Sequence, residues 1–275
     1  MAKNQIKNVL ITGASRGLGL AYANHLAEKG YNLILTDISS TACNVYGEVV
    51  SIENLLKQLS EKTKKVVFYE ADLMTQDGAD NLIERVKKDF DTIDAVITNA
   101  GGDIKGDDIN ASGGKADKNS FFIDYKDHES IFKRNYYTCL HTLRSVVPIL
   151  VKQKYGKIIT VSSVNSGFGV PKETAYATAK AAVVHLTRCL AVELRDKGIN
   201  VNCIMPGPIK TGRFMATLKS RNSHDLKDLE STSRLTRVGN PEDVCPVVEF
   251  LLSSDSDFIS GQIIRVDGGL FTHPV

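Results

Sequence analysis

Residues 8–19 read NVLITGASRGLG: a short apolar run that breaks into glycines and then into a helical pattern. Asn8–Thr12 has the near-continuous apolar character of a strand buried on both faces. Thr12–Gly19 has the spacing T-G-x-x-x-G-x-G. Glycines there permit a tight turn and close backbone approach, and the helix head behind them offers free N–H groups and a positive dipole end. That combination suits a diphosphate and makes Gly13, Ser15, Arg16, Gly17, Leu18 and Gly19 candidate contacts. No Gly-Lys-Ser/Thr follows, so the turn is not a P-loop. Standing alone, the motif is also compatible with a turn that holds no ligand.

The rhythm continues outward from this turn. Strands are expected at Asn8–Thr12, Asn32–Thr36, Lys65–Tyr69, Ala95–Thr98, Lys157–Val161, Asn200–Ile204 and Gln262–Val266. Helical patterns fall between them at Leu18–Lys29, Ile52–Lys62, Ala79–Phe90, Glu129–Lys152, Ala175–Asp196 and Pro241–Ser253, the last with Asn240 as N-cap. Alternating β and α elements predict an α/β fold: a doubly wound (Rossmann) parallel sheet of seven strands, helices on both faces, with 1–275 as one domain. Three connections are longer than usual, 38–51, 102–125 and 207–240, and all follow carboxyl ends of strands, where ligands bind in such sheets.

Composition narrows the class. The chain has 275 residues, is 42% hydrophobic and carries a formal charge of +2 with Lys and Glu interspersed. Without a basic excess, neither nucleic acid nor an acidic membrane surface is an expected partner. No apolar stretch approaches eighteen residues, and Val9–Ile11 is too short for a signal peptide. Five scattered cysteines with no C-x-x-C pair read as reduced thiols of a cytoplasmic protein. Six histidines show no ligand spacing, so no metal site is expected.

Asp37 ends the second strand, 20 residues beyond Gly17. A carboxylate there accepts both ribose hydroxyls of NAD and repels the extra phosphate of NADP. Ile38 adds no positive charge, whereas Arg16, in a turn expected to be partly solvated, offers one; the balance favours NAD. Asp37 capping its own turn with Ser39 is the plainer alternative. Farther on, Ser163 precedes Tyr176 by thirteen residues, and Tyr176 and Lys180 lie one helical turn apart. A tyrosine, with its ordinary pKa near ~10, needs a nearby cation to work as an acid/base at neutral pH. A lone Y-x-x-x-K is otherwise an amphipathic helix with a snorkelling lysine.

Together these residues resemble the short-chain dehydrogenase/reductase family nearly end to end. Beyond the glycine turn and the Ser163, Tyr176, Lys180 set, Ala71-Asp72-Leu73 fits the family's adenine-holding residues. Asn99-Ala100-Gly101 fits the N-A-G that closes the fourth strand beneath the cofactor, and Asn135 fits the helix asparagine linked through water to the lysine. Pro206-Gly207-Pro208-Ile209-Lys210-Thr211 fits the segment that contacts the nicotinamide end. Arg237–Asp243, Ile259–Gln262 and Asp267–Gly269 fit the C-terminal signatures.

The resemblance implies hydride transfer between NAD(H) and a secondary alcohol or ketone. Tyr176 would be the acid/base, Ser163 would hold the substrate oxygen, Lys180 would tune the tyrosine and bind ribose, and Asn135 would relay protons. It also implies a homotetramer. The polar 102–125 segment points to a sugar, polyol or hydroxy acid, with NADPH-dependent reduction of a 3-oxoacyl or steroid ketone as the alternative. A non-catalytic dinucleotide sensor or scaffold would usually lack Tyr176 or Lys180, and a methyltransferase has no place for Y-x-x-x-K. Phe121 and Phe122 are expected to pack their loop down; Phe214 and Met215 either close over the site or fill core.

Overall fold

The computed structural model describes residues 6–102, 121–169, 171, 173–217 and 231–272. The inner parts of the two long connections, 103–120 and 218–230, lie outside the described residues, with Asp107, Asp108 and His224; so does His273.

The seven expected strands all form: β1 Asn8–Thr12, β2 Asn32–Asp37, β3 Val66–Glu70, β4 Ala95–Thr98, β5 Gly156–Val161, β6 Ile199–Pro206 and β7 Ile263–Val266. They make one parallel sheet in the order β3-β2-β1-β4-β5-β6-β7. Strand alternation sends Val9, Ile11, Leu33, Leu35, Ile97 and Ile159 to one face. There they meet α1 (Gly17–Glu28), α2 (Ile52–Ser60) and α8 (Pro241–Leu252) through Tyr22, Leu26, Leu55 and Val248. Leu10, Ile34, Val96 and Ile158 point the other way, onto α3 (Gln76–Asp89), α5 (Thr138–Gln153) and α6 (Thr174–Glu193). Both faces being covered is why the strands read as continuous apolar runs rather than alternating ones.

Helix boundaries depart from expectation where polar residues open a helix. α3 starts at Gln76, not Ala79, because Thr75 caps it, its hydroxyl accepting from Gly78 N at 3.1 Å. The single helix expected over 129–152 is three pieces: α4 (Tyr125–Phe132), a π turn (Lys133–Tyr137) and α5. The 38–51 connection contains a 3₁₀ turn, Ser40–Asn44, and a short helix α7, Gly212–Ala216, follows β6. Asn240 caps α8 as expected, its backbone N–H reaching Asp243 Oδ2 at 2.6 Å with Pro241 in the first turn.

Two expectations about aromatics need correction or decision. Phe121 and Phe122 do not pack down: their rings meet edge to face at 5.4 Å and both are exposed. Phe214 is buried at the wall of the cleft beyond the strand ends, whereas Met215 is exposed and lies outside it. The chain turns back on itself after β3, so β4 lies beside β1; the carboxyl ends of these two strands frame the crevice where this fold places ligands.

Candidate active site

Above that crevice lies a cavity of about 680 Å³ that runs from the end of β2 to the start of α6. Gly13 and Gly17 take the left-handed conformation, φ +62° and +56°. A Cβ on Gly13 would lie 2.9 Å from Ala100 Cα, and one on Gly19 would sit 2.0 Å from Gly13 O. Only glycine fits at either place, and the turn is thereby pressed flat under the cavity. Asn99 locks it from β4, donating to Thr12 O and Gly13 O at 3.1 Å each, while Ala100 N donates to Thr12 Oγ1 at 3.0 Å. A Cβ-free floor, glycine N–H groups at the head of α1 and a half-buried arginine beside them fit a dinucleotide diphosphate.

At the far end of β2, Asp37 is buried and fixed. Its Oδ2 accepts from Ser15 N at 3.2 Å and Ser15 Oγ at 2.5 Å; its Oδ1 accepts from Ile38 N at 2.9 Å. The carboxylate therefore binds the glycine turn as well as facing the cavity. Arg16 is not the solvated side chain expected of a turn. Its guanidinium stacks on Tyr46 at 5.4 Å, and its Nη1 is buried with no hydrogen-bond acceptor among the described residues. Burial, then the nearby Arg213, pulls its pKa below the ordinary arginine value. Leu18, Ile38, Asp72 and Leu73 line this end of the cavity, Asp72 turned to accept from Met74 N at 2.9 Å.

At the other end stand Ser163, Tyr176 and Lys180. Ser163 sits just beyond β5, its Oγ accepting from Asn165 N at 3.3 Å. Ser162 anchors the neighbouring helix, donating to Lys180 O at 2.9 Å. Lys180 is buried with Nζ 5.9 Å from the Tyr176 ring centre and 3.0 Å from Val161 O. Burial pushes its pKa down to about 8, and Arg213 adds to the fall. Gly101 closes over it: a Cβ there would lie 3.2 Å from Nζ and 2.7 Å from Asn135 Oδ1.

Asn135 lies in the π turn and does not line the cavity. Its side chain pairs with the Gly102 backbone in both directions at 2.9 Å, and Nδ2 also donates to Ile131 O at 2.8 Å. The turn's extra residue shifts the hydrogen-bond register, Thr138 N reaching back five residues to Lys133 O. Ser15 and Gly19 likewise support the site from below, Ser15 through Asp37 and Gly19 through Gly13. Pro206, Gly207, Ile209 and Thr211 line the cavity after β6; Thr211 Oγ1 also accepts from Phe214 N at 3.3 Å, capping α7.

Residues that no motif singled out complete the walls: Tyr46, Glu48, Arg134, Asn165, Phe168, Glu173, Arg213 and Phe271. Asp267 brings Phe271 there by accepting from Gly269 N and Phe271 N at 3.0 and 3.1 Å, so that its ring meets Phe168 at 4.0 Å.

A family model described as enoyl-(acyl carrier protein) reductase matches residues 13–271. The chain is 32% identical over 270 residues to a cyclohexanol dehydrogenase from Rhodococcus sp. (strain TK6), covering 96% of each. It is 30% identical over 269 residues to a 3-oxoacyl-(acyl-carrier-protein) reductase FabG from Staphylococcus epidermidis, covering 96% of this chain and 99% of that one. Its fold is similar to the solved structure of a 7α-hydroxysteroid dehydrogenase complexed with NADH and 7-oxo glycochenodeoxycholic acid. That likeness has TM-score 0.81 and 26% identity, and covers 96% of this chain and 94% of that one.

Proposed function

The chain belongs to the short-chain dehydrogenase/reductase family, and from that premise we propose that it transfers a hydride between NAD(H) and a small secondary alcohol or ketone, with residues 1–275 acting as one unit. One observation carries the reading: Ser163, Tyr176 and Lys180 share a single cavity with the glycine turn and Asp37. A bound nicotinamide supplies the hydride chemistry. Tyr176 moves the proton, taking it from the alcohol in oxidation and returning it to the alkoxide in reduction. Ser163 donates a hydrogen bond to the substrate oxygen as charge develops there. Lys180 stabilises the tyrosinate and holds the ribose hydroxyls. Asn135, by fixing the Gly102 backbone next to Gly101, which closes over the lysine, keeps the proton path from Lys180 in register.

The substrate end has one polar wall, Asn165 with buried Glu173, and one aromatic wall, Phe168 with Phe271. The polar wall supports a hydroxylated substrate, a sugar, polyol or hydroxy acid. The aromatic wall favours a second reading, a plain ring alcohol such as the cyclohexanol named for the relative. The test is a panel of NAD reduction and NADH oxidation over sugars, polyols, hydroxy acids, cyclohexanol, steroids and 3-oxoacyl thioesters. Turnover confined to the last three would sink the polar-substrate reading, and no turnover on any, with NADP(H) as well as NAD(H), would favour a non-catalytic binder.

Lys180 makes a prediction about stability. Its folded pKa, about 8, lies below the ordinary 10.5, so across that window the unfolded chain holds the proton more firmly. Stability therefore rises with pH from about 8 upward, and the burial penalty is in full force below it. Lys180→Met is expected to stabilise the cofactor-free protein by about 1–3 kcal/mol at pH 7, after loss of the Val161 hydrogen bond is allowed for. The gain should shrink toward pH 10, and NADH affinity should fall. Thermal melts from pH 7 to 10 check this; an unchanged or lower Tm at pH 7 refutes it.

We also propose a homotetramer with twofold axes built on α5, α6, α8 and β7. A monomeric mass by light scattering at micromolar concentration would contradict it. Among the described residues no helix is long and apolar enough to cross a membrane. We place the enzyme in the cytoplasm because its five cysteines are free thiols, four of them buried.

A further inference from the structure

The connection between β2 and α2 is anchored at two points. Ala42 and Cys43 are fully buried in its 3₁₀ turn, and Val49 is buried just before α2. Between these anchors Gly47, at φ +70°, turns a tip that carries Tyr46 and Glu48 over the cavity. The Glu48 carboxylate spans two segments: Oε2 accepts from Gly17 N at 3.0 Å and Oε1 from Gly212 N at 2.9 Å. Tyr46 meanwhile stacks on Arg16. The tip is pressed close, since a Cβ on Gly212 would lie 2.6 Å from Tyr46 Cβ and 2.9 Å from Glu48 Cδ.

We infer that Glu48 is a gate on the cofactor seat: its carboxylate occupies a backbone donor at the head of α1 that an incoming diphosphate competes for, and must be displaced on binding. This rests on the reading of the cavity as a dinucleotide site. Three features support it. The donor Gly17 N belongs to the glycine turn itself, the same tip also holds Arg16 through Tyr46, and Glu48 carries the charge of the ligand it would mimic. A carboxylate left beside a bound diphosphate is repelled by it, so the tip swings outward from hinges next to Ala42 and Val49. The residue is exposed, so its interactions are screened and the expected effect is moderate.

Removing the charge should therefore tighten the dinucleotide. Fluorescence titration of NADH is expected to give a Kd about three- to tenfold lower for Glu48→Gln and Glu48→Ala than for wild type. ADP-ribose should tighten alike, while adenosine, which has no diphosphate, should bind wild type and variants equally. Unchanged or weaker NADH binding in both variants, or tightening in Glu48→Ala alone, overturns the charge gate. Equal tightening of adenosine also overturns it, because the effect would then not concern the diphosphate. A wild type that binds none of NADH, NADPH and ADP-ribose overturns the dinucleotide reading itself, whereas one that binds them without variant tightening overturns only the gate.

Discussion

Tyr176→Phe is expected to lower kcat by about 10²–10⁴-fold, the range that positioned acid/base groups contribute. NADH affinity should stay within about threefold of wild type. The ring remains, so the cavity wall and the packing of α6 against the Ile131 and Ala175 cluster are kept. What disappears is the hydroxyl, the proposed proton carrier, one helical turn from Lys180. No neighbour replaces it readily: Ser163, with an alcohol proton, orients oxygen but is a poor base, and Lys180 is buried with its Nζ bonded to Val161 O. Single-turnover measurement with NADH and whichever substrate the panel finds separates chemistry from cofactor release. Retention of more than about a tenth of the wild-type rate would remove Tyr176 from the acid/base role.

The sheet was legible because its physics is local. Val9-Leu-Ile11 and Ala95-Val-Ile97 are apolar at consecutive positions, and only a strand covered on both faces needs that. The Tyr176–Lys180 pair was legible for a similar reason, since four residues in a helix fix a direction in space. The π turn at 133–137 left no such mark. It inserts one residue into a helical pattern whose apolar positions, Ile131, Cys139, Leu143 and Val146, still read as one face on either side.

The polar contacts between distant segments were not legible either. Glu48 meets Gly17 across 31 positions and Gly212 across 164, and neither spacing has a periodic signature. Length alone flagged the 38–51 connection as irregular. Arg16 was misjudged on the same account: a turn residue is ordinarily solvated, but the tip of that connection supplies Tyr46 as a cover. Glu173, three positions before Tyr176, gave no signal of its own; in the cavity wall it is buried and accepts from Asn165, which lies just beyond β5.

That correction bears on the choice of cofactor, where Asp37 and Arg16 oppose each other. NAD is expected to exceed NADP by about tenfold or more in kcat/KM, a difference of about 1.4 kcal/mol. Asp37 cannot turn away from a 2′-phosphate, because Ser15 N, Ser15 Oγ and Ile38 N hold both of its oxygens. Like charges at about 4 Å cost about 1 kcal/mol even in water and more in a less screened pocket. Arg16 is half-buried and cationic nearby, which strengthens the opposing attraction. Yet Asp37, which stays fixed beside it, already offsets part of its charge, so the guanidinium is not free for one phosphate. Asp37→Ala should narrow the preference by removing the repulsion. It also strips Ser15 of its acceptor, so a loss of stability should accompany it. Asp37→Ala with Ile38→Arg should reverse the preference, since a guanidinium at the strand end pairs with the phosphate directly. Steady-state kcat/KM for both cofactors in the wild type and the two variants decides it. A wild type that prefers NADP would mean that the half-buried Arg16 outweighs Asp37, and that the end of β2 selects for a phosphate rather than against one.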